Sequence, residues 1–532
     1  MPACFVGIDV GTGSARAGVF DASGRMLGAA KRDIALFHEP GAIVEQSSAD
    51  IWSAVATAVR GAVAAAGIAP AKVQGIGFDA TCSLVVLGAG GAPLPVGPSE
   101  DPARDIIVWM DHRAVAQAER INAAGADVLR YVGGTISPEM ETPKLLWLRE
   151  HRPAVFEAAW QFLDLTDFLT WKASGSLARS SCTVTCKWTY LAHERRWDGG
   201  YFRALGLAPL ADEGFARIGE EVVDPGTALG AGLTEAAAAD LGLPPGTAVA
   251  AGLIDAHAGG VGTVGAFGDP TRTMAYVFGT SSCTMTTTRE PVFVPGVWGP
   301  YFSAMVPGMW LNEGGQSAAG AAIDQLLAFH PAAAEATRLA AAEGHPLAAW
   351  LAAQAATGGR SEAIALARGL HVVPEFLGNR APFADPHARA VVAGLGMERD
   401  TASLVALYVA GLSGLGYGLR QIIETQAAHG APVEAIAISG GAGRNPLIRQ
   451  LLADATGLRV LATEAEEPVL LGSAILAAVA AGVHADIPGA MAAMSRVAAT
   501  AEPAGGAIAE THARRYEAFQ VLQRTARTLP RD

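Results

Sequence analysis

Cys4-Phe5-Val6-Gly7-Ile8-Asp9-Val10-Gly11-Thr12-Gly13-Ser14 and, half a chain later, Met274-Ala275-Tyr276-Val277-Phe278-Gly279-Thr280-Ser281-Ser282 repeat one pattern. Each is an apolar, strand-like run that turns through glycine and hydroxyl residues. Glycine lets backbone N–H groups approach an anion that side chains would otherwise keep away. Ordinary hairpins also turn on Gly with Thr or Ser, so one such turn alone reads as structural. Two of them, each after a strand, point to two lobes sharing one nucleotide.

The commoner nucleotide loops are excluded. No GxxxxGK followed by Ser or Thr occurs, and Arg16 stands where a dinucleotide fingerprint needs its third glycine. Beyond Ser14, Ala15 to Asp21 reads as a second strand, ending at the Ala22-Ser23-Gly24 turn, and Arg25 to Ala35 as a third. A phosphate held across a β-hairpin turn resembles the actin, hexokinase and Hsp70 arrangement. That resemblance implies an α/β, two-lobed, ribonuclease H-like ATPase fold with its active site in the interlobe cleft.

The chain has 532 residues, room for two or three domains with sizeable cores. Mean hydropathy is +0.28, yet the longest apolar run, Val469 to Val483, falls short of the ~20 residues a spanning helix needs. No membrane segment and no signal peptide are expected. Five cysteines, an odd count without paired spacing, fit reduced thiols and a cytoplasmic location. Cys182 and Cys186 can share a helical face, but with no His or Cys partner nearby in sequence they read as buried small hydrophobes rather than a metal site. A net charge of −13 without a basic run argues against nucleic acid as a partner.

The first half continues with a helix over Ser48 to Ala66, capped by Ser47 or Ser48, and a strand over Val73 to Asp79. A Pro/Gly-rich loop follows from Gly88 to Pro102, then helices after Asp111, at Lys144 to Glu150 and at Asp164 to Lys172. The turn Leu243-Pro244-Pro245-Gly246-Thr247 leads into a buried strand, Val249 to Ile254, and sets the expected lobe boundary: 1–245 and 246–532. The second half ends in alternation: strand Glu434 to Ser439, helix Asn445 to Thr456, strand Leu458 to Leu461, helix Pro468 to Ala481. Pro331 to Gly358 reads as helical and Thr511 to Thr528 as a final helix.

Asp255 stands where an apolar strand gives way to the small-residue segment Ala256-His257-Ala258-Gly259-Gly260. It can cap that helix, act as a general base toward an attacking alcohol, or both. Ser439-Gly440-Gly441-Ala442-Gly443-Arg444-Asn445-Pro446 is a glycine turn between strand and helix, either plain structure or a bed for purine and ribose.

With these motifs together the chain resembles the FGGY carbohydrate kinases, and within them the D-ribulokinase-type pentulose kinases, over nearly its whole length. The resemblance implies that the first phosphate motif falls on Asp9, Gly11, Thr12, Gly13, Ser14 and Arg16, with Asp9 holding magnesium through water. It implies a second phosphate motif at Gly279, Thr280 and Ser281, nucleotide contacts from Gln316, Gly440, Gly441 and Asn445, and Asp255 as the catalytic base. Lys144 to His151 resembles part of the family signature, although Glu141 stands where that signature usually has a small or hydroxyl residue. Segments around Phe78-Asp79-Ala80-Thr81-Cys82, Trp109-Met110-Asp111, Lys187-Trp188 and Asn312-Glu313 resemble pentulose-kinase pockets. By that likeness Cys82, Asp111, Lys187, Glu313 and Asp255 line the sugar. For Asp111 and Lys187 the alternatives are a charged first helical turn and a solvated amine.

The implied reaction transfers phosphate from ATP, with Mg2+, to a ketopentose. By the same resemblance L-ribulose enzymes tend to carry Lys or His where this chain has Met110 and Asp111, which favours D-ribulose over L-ribulose; xylulose, L-ribulose and a pentitol such as ribitol are the alternative substrates. An ATP-driven chaperone would need a peptide-binding module for which the chain after Val483 leaves no room. A silent sugar-binding regulator would be expected to have lost Asp255 or a phosphate turn. A homodimer is a common state, but no interface stripe can be told from a core face.

Overall fold

The computed structural model describes residues 3–530. Its first large sheet is built on Cys4–Val10, a wholly buried strand that pairs antiparallel with Ser14–Asp21 and parallel with Val73–Ala80. Met26–Asp33 extends the hairpin side. The helix Ser48–Ala66 packs on these strands; Ser47 caps it, accepting from the Asp50 N–H, and Gly67 ends it in the left-handed conformation.

The second large sheet repeats the plan. Thr273–Phe278 pairs antiparallel with Ser282–Thr288 and parallel with Ala435–Ser439, which in turn pairs with Arg459–Thr463. Each expected phosphate turn is therefore a hairpin turn beside a parallel neighbour, which is the internal repeat seen in the sequence.

The lobe boundary expected at 245 is corrected by the pairing. The strand anticipated over 249–254 is two short pieces, Ala248–Val249 and Leu253–Ile254, both parallel to Val73–Ala80 and so part of the first sheet. Crossing to the second sheet comes only after the helix Asp255–Val264. Sequence proximity to a Pro/Gly turn suggested a boundary that long-range pairing does not respect.

The helix Pro468–Ala480, late in the chain, also lies against the first sheet, on Cys4–Val10 and Val73–Ala80, and against Asp255–Val264. Glycines make this possible. A Cβ on Gly7 would stand 1.8 Å from the Leu470 carbonyl oxygen, one on Gly77 2.0 Å from that of Ser473, and one on Gly472 1.9 Å from that of Ala258. Backbone thus touches backbone along a seam joining the two halves.

The Ala-rich 331–358 segment is two helices, Ala333–Ala342 and Leu347–Ala355, broken at Gly344-His345-Pro346. The last helix is longer than expected, Gly506–Thr528. Among the described residues one helix, Thr401–Ala428, is long and apolar enough to cross a membrane, and it is mostly buried inside the protein, as core helices are.

Candidate active site

Three carboxylates are brought together by strand register. Asp9 and Asp79 are opposed partners on neighbouring parallel strands, Leu253 opposes Asp79 on the next, and Asp255 follows directly as the first residue of its helix. All three thus sit at the carboxyl ends of parallel strands, where open α/β sheets bind ligands.

Asp9, Asp255, Gly11, Thr12, Arg16, Cys82, Lys187, Ser281 and Glu313 line one cavity of about 330 Å³ between the sheets. Trp109, Glu139, Trp298 and Arg380 complete its wall. The Lys187 ammonium lies 5.7 Å from the Trp298 ring centre and the Arg380 guanidinium 5.4 Å, so one indole carries two cations. Trp298 is there because its strand pairs it with Glu313.

Asp255 is partly exposed to this cavity and accepts from the Ala256 N–H at 2.7 Å. Its surroundings push its pKa up to about 6: burial contributes most and the Asp9 charge adds to it, against the Ala256 N–H, His257 and Lys187. Asp79 is fully buried and raised well above the carboxylate range, first by burial and then by Asp9. Its Oδ2 accepts from Ser473 Oγ at 2.6 Å, while its Oδ1 has no partner.

Both turns are braced from behind. Thr12 receives Trp109 Nε1 on its hydroxyl at 2.9 Å and Gln46 Nε2 on its carbonyl at 2.8 Å, and Gly13 stays exposed at the tip. Gly279 and Thr280 are likewise exposed, with the Thr280 carbonyl accepting from the Ala319 and Ala321 N–H groups. Ser14 opens the second strand of the first hairpin. Arg16 donates through Nε to Asp9 Oδ2 at 2.8 Å and through Nη1 to Glu467 at 2.8 Å.

Gly440 and Gly443 line a second hollow of about 280 Å³ with Pro468 on its wall, next in the chain to Val469 on the wall of the first cavity. Gly440 has φ +88°, and a Cβ there would stand 2.2 Å from the Phe278 carbonyl oxygen, so the loop holding Gly441 lies against the second turn. Asn445 caps the helix Pro446–Thr456 through Oδ1.

Two expected contacts are corrected. Asp111 does not line the cavity: it is fully buried, accepts from the Val44 N–H at 2.6 Å, and is held by the Arg113 guanidinium at 2.8 and 2.9 Å. Neither the exposed first turn nor the sugar wall describes it. Gln316 is engaged within the protein: its Oε1 accepts from Tyr276 and Ser282 and its Nε2 donates to the Leu415 carbonyl, so it buttresses the second turn.

The cysteine reading is also corrected. Cys182 has a histidine partner: its Sγ lies 3.1 Å from His257 Nδ1, and it accepts from the Ile254 N–H at 3.3 Å. The ligand atoms of Cys182, Cys186 and His257 all lie within 4.8 Å of one another. Burial would raise the Cys182 thiol, but hydrogen bonds from Cys186 and Ile254 and the adjacent His257 bring it down. Burial would lower His257, but Cys182 and then Glu313 drive it up.

Asp79, Trp298 and Arg380 were not singled out in the sequence. The signal for Asp79 was present, a carboxylate ending an apolar strand as Asp9 does. Arg380 lies in an irregular loop whose path no local pattern predicts.

Family models for the N-terminal and C-terminal domains of the FGGY family of carbohydrate kinases match residues 4–262 and 274–481. The chain is 45% identical over 505 residues to the FGGY carbohydrate kinase domain-containing protein of Homo sapiens, covering 93% of this chain and 91% of that one. It is 38% identical over 511 residues to a D-ribulokinase of Saccharomyces cerevisiae, covering 90% and 72%. A crystal structure described as a xyloylose kinase from Brucella ovis superposes with a TM-score of 0.81 at 21% identity, over 99% of this chain and 100% of the other, and shares the two-lobed fold.

Proposed function

The chain belongs to the FGGY family of carbohydrate kinases, phosphotransferases acting on sugar hydroxyls, and from that premise we propose that it phosphorylates the terminal hydroxyl of a ketopentose, D-ribulose before others, to D-ribulose 5-phosphate. The observation that carries the reading is one cavity in which Asp255, Lys187 and Glu313 meet the two glycine turns. The likeness to the yeast D-ribulokinase supports the choice of sugar.

In this proposal the turns Gly11 to Ser14 and Gly279 to Ser281 grip the ATP phosphates from opposite lobes, through donors other than the Gly11 and Gly279 N–H groups, which close the turns on the Ser14 and Ser281 carbonyls at 3.0 and 2.9 Å. Gly440 and Gly441 bed the purine and ribose, with the Asn445 amide nitrogen left for the nucleotide. Glu313 accepts from sugar hydroxyls, Lys187 donates to the carbonyl or a hydroxyl, and Cys82 packs beside them. Asp255 takes the proton of the attacking hydroxyl as its oxygen bonds to the γ-phosphorus and the bond to ADP breaks. Closing of the lobes excludes water, which would otherwise accept the phosphoryl group.

The donor set fits a divalent cation: Asp9 and Asp79 oppose each other on neighbouring strands, Asp79 Oδ1 is buried without a partner, and a triphosphate would add further negative charge. Mg2+ held at Asp9, through water, would neutralise charge on the transferring phosphates. Asp9→Asn is expected to weaken Mn2+ binding in the presence of ADP at least tenfold, read by electron paramagnetic resonance; unchanged binding would move the cation away from Asp9.

The deciding assay is ADP release with Mg·ATP against D-ribulose, L-ribulose, D-xylulose, L-xylulose, ribitol and glycerol, ranked by kcat/KM. D-ribulose is expected first; a clear preference for another acceptor replaces it, and no stimulation by any acceptor removes the ketopentose claim. A pH dependence follows from Asp255. Its pKa is raised to about 6 and the working form is the carboxylate, so kcat/KM is expected to rise with pH through about 6 and level off above. A profile flat from about pH 5 to 8 would take that role from Asp255.

A further inference from the structure

We infer that His257, oriented from behind by Cys182, is the positioning residue that fixes the Glu313 carboxylate on the acceptor side of the cavity. The three groups form an unbroken line. Cys182 Sγ is 3.1 Å from His257 Nδ1, and His257 Nε2 is 3.4 Å from Glu313 Oε2. Cys182 and His257 are fully buried, whereas Glu313 reaches the cavity wall.

The line joins three elements that share no local sequence. Cys182 lies on the helix Ser181–Lys187, His257 on Asp255–Val264, and Glu313 on the strand Trp310–Gln316 of the second sheet. About 100° of helical turn per residue sends His257 away from Asp255, so one short helix presents a carboxylate to the cavity and an imidazole to its supporting wall.

Charge accounts for the arrangement. Glu313 is buried, which alone would raise its pKa; the His257 hydrogen bond, with Lys187 and then Arg380, instead brings it down to about 2. An imidazole donating from both nitrogens needs an acceptor at each end, and Cys182 supplies the second. With His257 on Oε2, Oε1 is the oxygen left for a sugar hydroxyl. Deleting the imidazole leaves the carboxylate in place but free to rotate or to pair with Lys187, which costs sugar binding rather than nucleotide binding.

The inference rests on the sugar-kinase reading for its ligand but not for its geometry, and two measurements separate them. In full-length protein carrying 15N-labelled histidine, with His257 assigned by its loss in His257→Asn, both ring nitrogens are expected to appear protonated at neutral pH. Glu313→Gln is expected to shift the Nε2 resonance and Cys182→Ser the Nδ1 resonance. A bare nitrogen on His257, resonances indifferent to both substitutions, or stoichiometric zinc in the purified protein, which would make Cys182, Cys186 and His257 its ligands, overturns the inference whatever sugar is used.

In the kinetic arm, His257→Asn and His257→Gln are expected to raise KM for the best acceptor about ten- to a hundredfold, the weight of a hydrogen bond to a charged group, with KM for ATP within about twofold. Melting temperature near that of the parent protein checks folding. An unchanged acceptor KM overturns the positioning role, while the acceptor ranking itself tests the ketopentose reading separately.

Discussion

Asp255→Asn is expected to lower kcat by about 10²- to 10⁴-fold, the ordinary weight of a general base, while nucleotide affinity stays within a few fold. The substitution is nearly isosteric and keeps an oxygen that can accept from the Ala256 N–H, now made at 2.7 Å, so the helix start should survive. What is lost is the basic oxygen and one of the negative charges crowding Asp79 and Asp9. Relief of that repulsion predicts a slightly more stable protein, because burial and the Asp9 charge both disfavour the Asp255 carboxylate in the folded state. Single-turnover phosphorylation alongside a thermal melt decides it. Near-normal turnover would assign the proton to another group, and unfolding would show the carboxylate to be structural.

The other large effect concerns folding. Gly7→Ala is expected to destabilise the protein by about 3 kcal/mol or more, a large share of the about 5–15 kcal/mol that holds a domain together. The new methyl would stand 1.8 Å from the Leu470 carbonyl oxygen and 2.8 Å from its carbon, both backbone atoms that no rotamer change can move. Gly472→Ala should act alike, from the other face, against Ala258. Gly505→Ala is the control: nothing lies within 4 Å of its Cβ and its backbone is extended, so its urea midpoint should match that of the parent. Equal midpoints for Gly7→Ala and the control would mean that the helix Pro468–Ala480 can move off the sheet.

The parts legible in the sequence were those built from neighbours along the chain. The turns at Gly11–Ser14 and Gly279–Ser281 each lie within a single hairpin, so composition and periodicity revealed them, and their repetition disclosed the two lobes. Asp255 was visible because a strand ends and a helix begins at one carboxylate. The sheet that owns Leu253–Ile254 was not, since its partner lies at Asp79 and Ala80. Asp111 was misread for a different reason. Arg113, two residues on, and the Val44 N–H satisfy it completely, and a resemblance in motif carries no information about which polar groups are already spent. His257 had no local signal at all: its partners, Cys182 and Glu313, lie 75 and 56 residues away in opposite directions.

The seam of glycines between Pro468–Ala480 and the first sheet also has a bearing on how the protein is made. Cys4–Val10 is synthesised long before Pro468–Ala480, yet one face of it waits for that helix. Until then that face of the sheet, with Gly7 on this strand and Gly75 and Gly77 on Val73–Ala80, lacks the helix that closes over it. Many multidomain chains finish one domain before starting the next. Here the first sheet cannot be completed before the helix Pro468–Ala480 has been made, and the two halves must reach their final state together.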